Sequence, residues 1–182
     1  TSGEETFWEM SSLSVSGGAT LTIAGDVTLV LTHSGNGAFQ VIQGGGMELE
    51  EGASLRIYTP GNIEISGAGF LNTGAPKNVQ IWGTNIESQT ISLAGSGSLS
   101  GIVYAPNADI TMPGGTEFCG AVVGNNITLS GSGTFHYDES LEGESGLGFT
   151  DGASDKVTAD YVTELIDPSE WAYYKQNYFD NF

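Results

Sequence analysis

The segment from Thr90 to Asp138 repeats itself three times and constrains the fold more than any other part of the chain. Aligned without gaps, its copies read ISLAGSGSLSG, ITMPGGTEFCG and ITLSGSGTFHY, and they begin at Ile91, Ile110 and Ile127. Short runs of alternating apolar residues, separated by glycine and recurring about every 20 residues, are typical of a β-solenoid with one coil per repeat. The repeat therefore predicts an all-β fold made of stacked parallel coils in a single domain.

The alignment also predicts which side chains stack, because equivalent positions on successive coils lie about 4.8 Å apart. Three apolar columns are expected to face inward: Ile91, Ile110 and Ile127; Leu93, Met112 and Leu129; and Leu99, Phe118 and Phe135. A column of hydroxyl side chains is expected to face outward: Ser92, Thr111 and Thr128. The outward column indicates a solvated β face, and a regular surface for sugar or ice is the alternative.

Earlier coils follow the same alternation less regularly, with single glycines at the corners. The segment that begins at Ala53 aligns with the one that begins at Ala19, which makes Leu55 equivalent to Leu21. Between Asn72 and Gln89 the pattern weakens, and we expect an irregular coil or a projecting loop there. Residues 13–141 are therefore assigned to the β-solenoid domain.

The remaining segments differ in composition. Residues 1–12 are predicted to pack on an end or side of the body, and residues 142–156 to form an acidic, glycine-rich loop. Residues 157–182 are predicted to form a short aromatic cap or strap, because Asp167-Pro168-Ser169-Glu170 has the pattern of a helix start. A solenoid needs such closure, since an open terminal coil exposes its core and unpaired backbone.

Charge excludes several functions. The 22 acidic residues outnumber four Lys and Arg, and the resulting net charge of −18 would repel nucleic acid and anionic lipid.

No apolar run reaches the length of a membrane span, so no membrane insertion is expected from this sequence. The single cysteine, Cys119, excludes an intramolecular disulfide framework and leaves stability to packing and β ladders.

Two columns contain residues with reactive or ligating groups. Ser100, Cys119 and His136 share one column, where a thiol beside an imidazole could act as a nucleophile or could simply fill space.

In the second column, Asp109 and Asn126 lie near Asn107 and Asn125, and these four could hold calcium, although ladder hydrogen bonds are the alternative. No other cofactor is indicated. Acid and base catalysis by Asp109 and Glu117 is conceivable, but Thr90 to Asp138 contains no Lys or Arg, so a non-catalytic protein is predicted.

The stretch GIVYAPNADITMPGGTEFCGAVVGNNITLSGSGTFHYDESL resembles the glycine-rich β-helix domain of bacterial minor-pilin-like type IV pilus assembly and cell-surface proteins. Three motifs carry the resemblance: VYAP at Val103 to Pro106, FCGAVVG at Phe118 to Gly124, and HYDE at His136 to Glu139. The similarity extends over about Gly18 to Leu141. It implies a right-handed parallel β-helix that is exported to the cell surface, and it carries no catalytic residue across.

Together these observations predict an extracellular structural or adhesive module of a pilus-like or cell-envelope assembly, with other surface proteins or glycans as partners. The alternative is a carbohydrate-binding or carbohydrate-cleaving β-helix. Candidate ligand-binding residues are His136, Tyr137 and Asp138 in the last repeat, with Tyr104 and Trp82. A scaffold joined end to end is a third possibility, against which the aromatic terminal segments argue.

Overall fold

The computed structural model describes residues 5–66, 69–72, 74–95 and 98–141. These residues form one unit that ends at Leu141. The acidic loop predicted at 142–156 and the cap predicted at 157–182 lie outside the described residues.

The described chain is all-β with parallel pairing, as the sequence predicts. Its strands are β1 Thr6–Met10, β2 Leu13–Val15, β3 Thr20–Ile23, β4 Asp26–Leu31, β5 Phe39–Val41, β6 Gly46–Leu49, β7 Ser54–Thr59, β8 Ile63–Ile65, β9 Gly69–Leu71, β10 Val79–Gly83, β11 Gln89–Leu93, β12 Ser98–Met112, β13 Glu117–Leu129 and β14 Thr134–Tyr137. Two short 3-10 turns, Pro76–Asn78 and Glu139–Leu141, complete the assignment.

The strands stack in three columns of parallel neighbours, which we call faces. The first face runs β1, β4, β7, β10 and the middle of β12 and β13. The second runs β2, β5, β8, β11 and the later parts of β12 and β13. The third contains β3, β6 and β9 and, further along, the first residues of β12 and β13 with β14. This order, in which the chain visits each face once per turn, fits a β-solenoid.

The predicted registers of the last three repeats are confirmed. Ile91 pairs with Ile110 and Ile110 with Ile127, while Phe118 lies between Leu99 and Phe135. The hydroxyl column and the Ser100, Cys119 and His136 column also pair as expected. Gapless alignment succeeds because no insertion interrupts the turns between these strands.

The inward columns are buried in the earlier repeats but remain partly exposed in the last one. Ile110 and Phe118 are fully buried at 0% exposure, whereas Ile127 is 47% and Phe135 38% exposed. Leu129 is 45% exposed above the buried Met112. Alternation gives the phase of a strand but not whether another coil covers it, and β13 and β14 are the last strands of the described residues.

One prediction for the earlier coils is wrong. Leu55 stacks on Val27, and Leu21 stacks on Met47, because each coil contains several alternating runs and loops of unequal length separate them. For the region from Asn72 to Gln89 the structure agrees with the irregular-coil alternative, since β10 within it pairs with both β7 and β12. Its exposed parts include Gly74, Ala75 and the short connection around Ile86.

The N-terminal segment packs at an end of the body as a strand. β1 pairs along its whole length with β4, and Trp8 stacks on the buried Leu29. Trp8 nevertheless remains 56% exposed, because no described strand lies on its other side. β1 therefore forms part of the first coil.

Glycine is required at the tight turns between the last strands. Gly114 and Gly131 both have φ near +80° (78° and 80°), a left-handed conformation that other residues adopt at a cost. They occupy equivalent turns, and a side chain at Gly131 would press on the backbone of Gly114. The glycine-containing corners predicted from the repeats are thus seen at these positions.

Candidate functional site

An aromatic ladder crosses the first face. Tyr58, Trp82 and Tyr104 are register partners on β7, β10 and β12. The Tyr58 and Trp82 ring centroids are 6.1 Å apart with an interplanar angle of 20°, and those of Trp82 and Tyr104 are 5.3 Å apart and tilted by 43°. Such offset contacts stabilise aromatic pairs.

The two predicted ligand-binding aromatics differ in accessibility. Trp82 is half-buried, whereas Tyr104 is buried, and this burial raises the pKa of the Tyr104 hydroxyl above its usual 10.0. The Trp82 indole Nε1–H donates to Gln80 Oε1 at 3.3 Å. Of the two predicted residues, Trp82 is therefore better placed to meet a ligand.

A polar network, which no sequence pattern predicts, joins this ladder to Glu5 near the N-terminus. Arg56 Nε donates to Gln80 Oε1 at 3.3 Å, and an Arg56 guanidinium nitrogen lies 3.5 Å from Glu5 Oε1. Thr28 also donates its hydroxyl hydrogen to Glu5. The network lines a depression of about 260 Å³. These residues are far apart in the sequence, and only the register of the coils shows that they are neighbours.

Asparagine and aspartate side chains line the corner that precedes the second face. Asn126 Nδ2–H donates to Asp109 Oδ1 at 2.6 Å, and Asn125 Nδ2–H approaches the same oxygen at 3.5 Å. Asn107 Nδ2–H donates instead to the backbone carbonyl of Asn85 at 3.0 Å. The assigned amide groups present hydrogen-bond donors to the carboxylate, whereas a calcium ion needs converging oxygens.

The same corner continues into earlier coils that the repeat alignment did not reach. Asn62 Nδ2–H donates to Asn36 Oδ1 at 2.6 Å, and the Thr90 backbone N–H donates to Asn62 Oδ1 at 2.8 Å. The four predicted metal ligands thus belong to a longer hydrogen-bonded ladder. In the described part of the chain, no group of three or more His, Cys, Asp or Glu side chains could hold a metal ion.

The thiol in the Ser100, Cys119 and His136 column is not activated. Burial raises the pKa of Cys119, and the negative charges of Asp138 and Glu117 raise it further. A nucleophilic cysteine needs a lowered pKa and an electropositive surrounding. The His136 ring is exposed, and its Nε2 lies 3.9 Å from Glu117 Oε1. These surroundings argue against the nucleophile, and the half-buried Cys119 lies on the opposite side of its strand from the buried Phe118, so it does not fill space in the core either.

The HYDE motif lies where β14 ends. Tyr137 pairs with Gly120, and the Asp138 backbone N–H donates to the Gly120 carbonyl at 3.3 Å. Asp138 Oδ1 accepts the Ser140 backbone N–H at 2.9 Å. Hydrogen bonds from the Ser140 side chain and backbone lower the pKa of Asp138 below its usual 3.8. The motif has the geometry of a corner that ends a coil.

The predicted site residues therefore fall into three groups. Trp82 and Tyr104 lie on the first face, the four asparagine and aspartate residues lie at a corner, and the HYDE residues lie at the C-terminal end of the described strands. A second depression, of about 340 Å³, is lined by polar and acidic residues with one leucine: Leu49, Glu50, Glu51, Gly52, Asn72, Gly74 and Asn78. Ligand pockets are usually lined mostly by apolar groups, whereas the first depression is lined almost entirely by polar surface and the second by polar and apolar surface in about equal parts.

Stacked parallel strands, hydrogen-bonded corners and an aromatic ladder place the chain among repetitive all-β proteins. A family model matches residues 2–144, and the chain belongs to that family, DUF7305, a domain of unknown function. No curated protein and no solved structure matches it. None of the helical turns within the described residues has the length and apolarity that a membrane crossing requires.

Proposed function

We propose that this chain is a non-catalytic structural or adhesive module of an extracellular, pilus-like or cell-envelope assembly, built as a right-handed β-helix. The observation that carries the proposal is the surroundings of the polar side chains that could have taken part in chemistry. Asp109 is bonded to Asn126, and the thiol of Cys119 has a raised pKa beside two carboxylates. Asp109 thus joins two neighbouring coils, and Cys119 lacks the electropositive surroundings of a nucleophile, which together suit a stiff presenting surface better than a catalytic one.

The resemblance to minor-pilin-like surface proteins supplies the cellular setting of the proposal. A strong negative charge suits an exposed, soluble surface, and the net charge here is −18. The partners would be other surface proteins or glycans. No cofactor is required for this role.

Cell-surface exposure can be tested directly in the source organism. The native gene product would carry an epitope tag in the exposed connection at Ile86. Labelling of intact cells by antibody, at the level seen in lysed cells, is the expected result. Labelling only after lysis would contradict the proposed location. A cytoplasmic reporter protein in the same cells provides the control for leakage.

Carbohydrate binding is the second candidate, and the aromatic ladder favours it. Tyr58 and Trp82 are both half-buried on one face, where they could contact a sugar ring. A glycan array combined with a reducing-sugar assay separates the alternatives. Binding that is lost in Trp82→Ala, without release of sugar ends, would support a carbohydrate-binding module. Release of sugar ends would overturn the non-catalytic proposal.

A further inference from the structure

Large exposed hydrophobic side chains collect at the two ends of the stacked coils. Among the described residues, six of the seven lie in β1 or in β13 and β14: Phe7, Trp8, Ile127, Leu129, Phe135 and Tyr137. The seventh, Ile86, lies in the connection between β10 and β11. Contiguous apolar exposure in a folded protein marks an interaction surface more often than scattered exposure does.

Two inward columns run from the first coil to the last described coil, and each has an exposed side chain at one of its ends, Trp8 in the first column and Ile127 in the second. Successive pairings connect Trp8 at one end to Val122 at the other. A second series connects Leu13 to Ile127. If the first coil of a second copy were stacked on β13, its inward apolar side chains would therefore continue the inward columns of the first copy.

The backbone at both ends also offers edges for pairing. β1, β2 and β3 each have one neighbour among the described strands, and so do β14 and the residues of β13 from Ala121 onward. Unpaired edges are templates for further strands. Inside the stack, each coil is covered by the next coil of the same chain. Ile110, for example, is covered by the coil that contains Ile127 and is 0% exposed.

We propose that copies of this chain associate head to tail, with the first coil of one copy stacked on the last described coil of the next. Such a contact is heterologous and does not close on itself, so it produces linear oligomers. The inference goes beyond the proposed function, because self-association would hold whether or not the chain is exported. It runs against two sequence-based arguments: the closing cap predicted at 157–182, which lies outside the described residues, and the N-terminal aromatic segment, since Trp8 lies exposed at that end.

Charge sets the conditions for this association. Glu5 and Glu9 flank the first coil, while Glu117, Asp138 and Glu139 flank the last. Like charges on the two surfaces repel, and salt screens this repulsion when the charges are exposed. Association of copies is therefore expected to strengthen as the salt concentration rises, which is the opposite of what an electrostatic attraction would give.

Two variants that each block one end provide the decisive test. Trp8→Glu and Ile127→Glu place a charge at opposite ends, and both replaced side chains are about half exposed (56% and 47%), so folding is expected to survive and is checked by circular dichroism. Sedimentation velocity of the 182-residue chain should show oligomers that lengthen with concentration. Each variant alone should be monomeric, with association weakened at least about tenfold by the buried charge. An equimolar mixture should form a 1:1 dimer, because one unaltered contact remains possible.

Thr128→Glu is the matched control, since it adds the same charge on the same strand but on the outward column. It should associate like the unaltered chain. A chain that stays monomeric at all concentrations and salt levels would overturn the proposal. So would a dimer that Ile127→Glu abolishes and Trp8→Glu leaves intact, because that result would indicate contact between two C-terminal ends.

Discussion

Phe118 and Phe135 provide a matched pair for measuring how much an inner coil contributes to stability compared with an end coil. The rings stack at 5.5 Å between centroids with an interplanar angle of 7°. Phe118 is 0% exposed and Phe135 is 38% exposed. Phe118→Ala removes a fully buried ring and leaves a cavity, which costs about 3–5 kcal/mol. Phe135→Ala loses only part of the transfer free energy and opens to water, so about 1–2 kcal/mol is expected.

Urea unfolding followed by far-ultraviolet circular dichroism measures both losses. It should be run at a protein concentration below that at which the unaltered chain oligomerises, so that association does not contribute to the free energy of unfolding. Equal losses for the two variants would refute the reasoning, because they would show that Phe135 is covered as completely as Phe118. A larger loss for Phe135→Ala would do so even more clearly.

Three further predictions concern the turns, the thiol and the corner. Gly120→Ala should destabilise the chain far more than Gly114→Ala in thermal melts. A side chain at Gly120 collides with a backbone carbonyl of the preceding coil, whereas one at Gly114 meets no neighbouring atom and costs only about 1–2 kcal/mol of backbone strain. Cys119 has a raised pKa, so its thiolate fraction at any pH is below that of an ordinary cysteine. The rate at which a thiol reagent labels Cys119 should therefore reach half its maximum at a higher pH than the rate for free cysteine. A lower midpoint would contradict this. Asn126→Ala removes the 2.6 Å hydrogen bond to Asp109 and should cost about 1 kcal/mol in urea unfolding, and millimolar calcium should not change the melting temperature of the unaltered chain.

The last repeats could be aligned from the sequence because their turns are short and uniform. Within the copies that begin at Ile91, Ile110 and Ile127 no insertion interrupts the turn, so the pairing can be read directly, and the register shift between Ala105 and Asp109 falls between two copies. In the earlier coils the loops differ in length, and each coil has several alternating runs. The sequence is therefore compatible with more than one register for Leu55, and the alignment with Leu21 predicts the wrong one, since Leu55 pairs with Val27.

The candidate sites show a similar limit. Alignment correctly placed Asp109 beside Asn126, but it could not show which amide atoms approach the carboxylate. It also could not reveal Asn36 and Asn62 as members of the same corner, because those residues lie in coils that it did not align. Side-chain orientation depends on hydrogen-bond partners from neighbouring coils, which composition and spacing do not specify.

The length of β12 has a consequence for how the protein comes apart. This single strand of 15 residues pairs with β10, β11 and β13, so it belongs to more than one face, whereas the earlier coils use a separate strand on each face. Cooperative opening units usually follow such continuous pairing. Amides of β12 should therefore exchange with solvent together, as one late-opening block, while those of β2 and β3 exchange in separate and earlier steps.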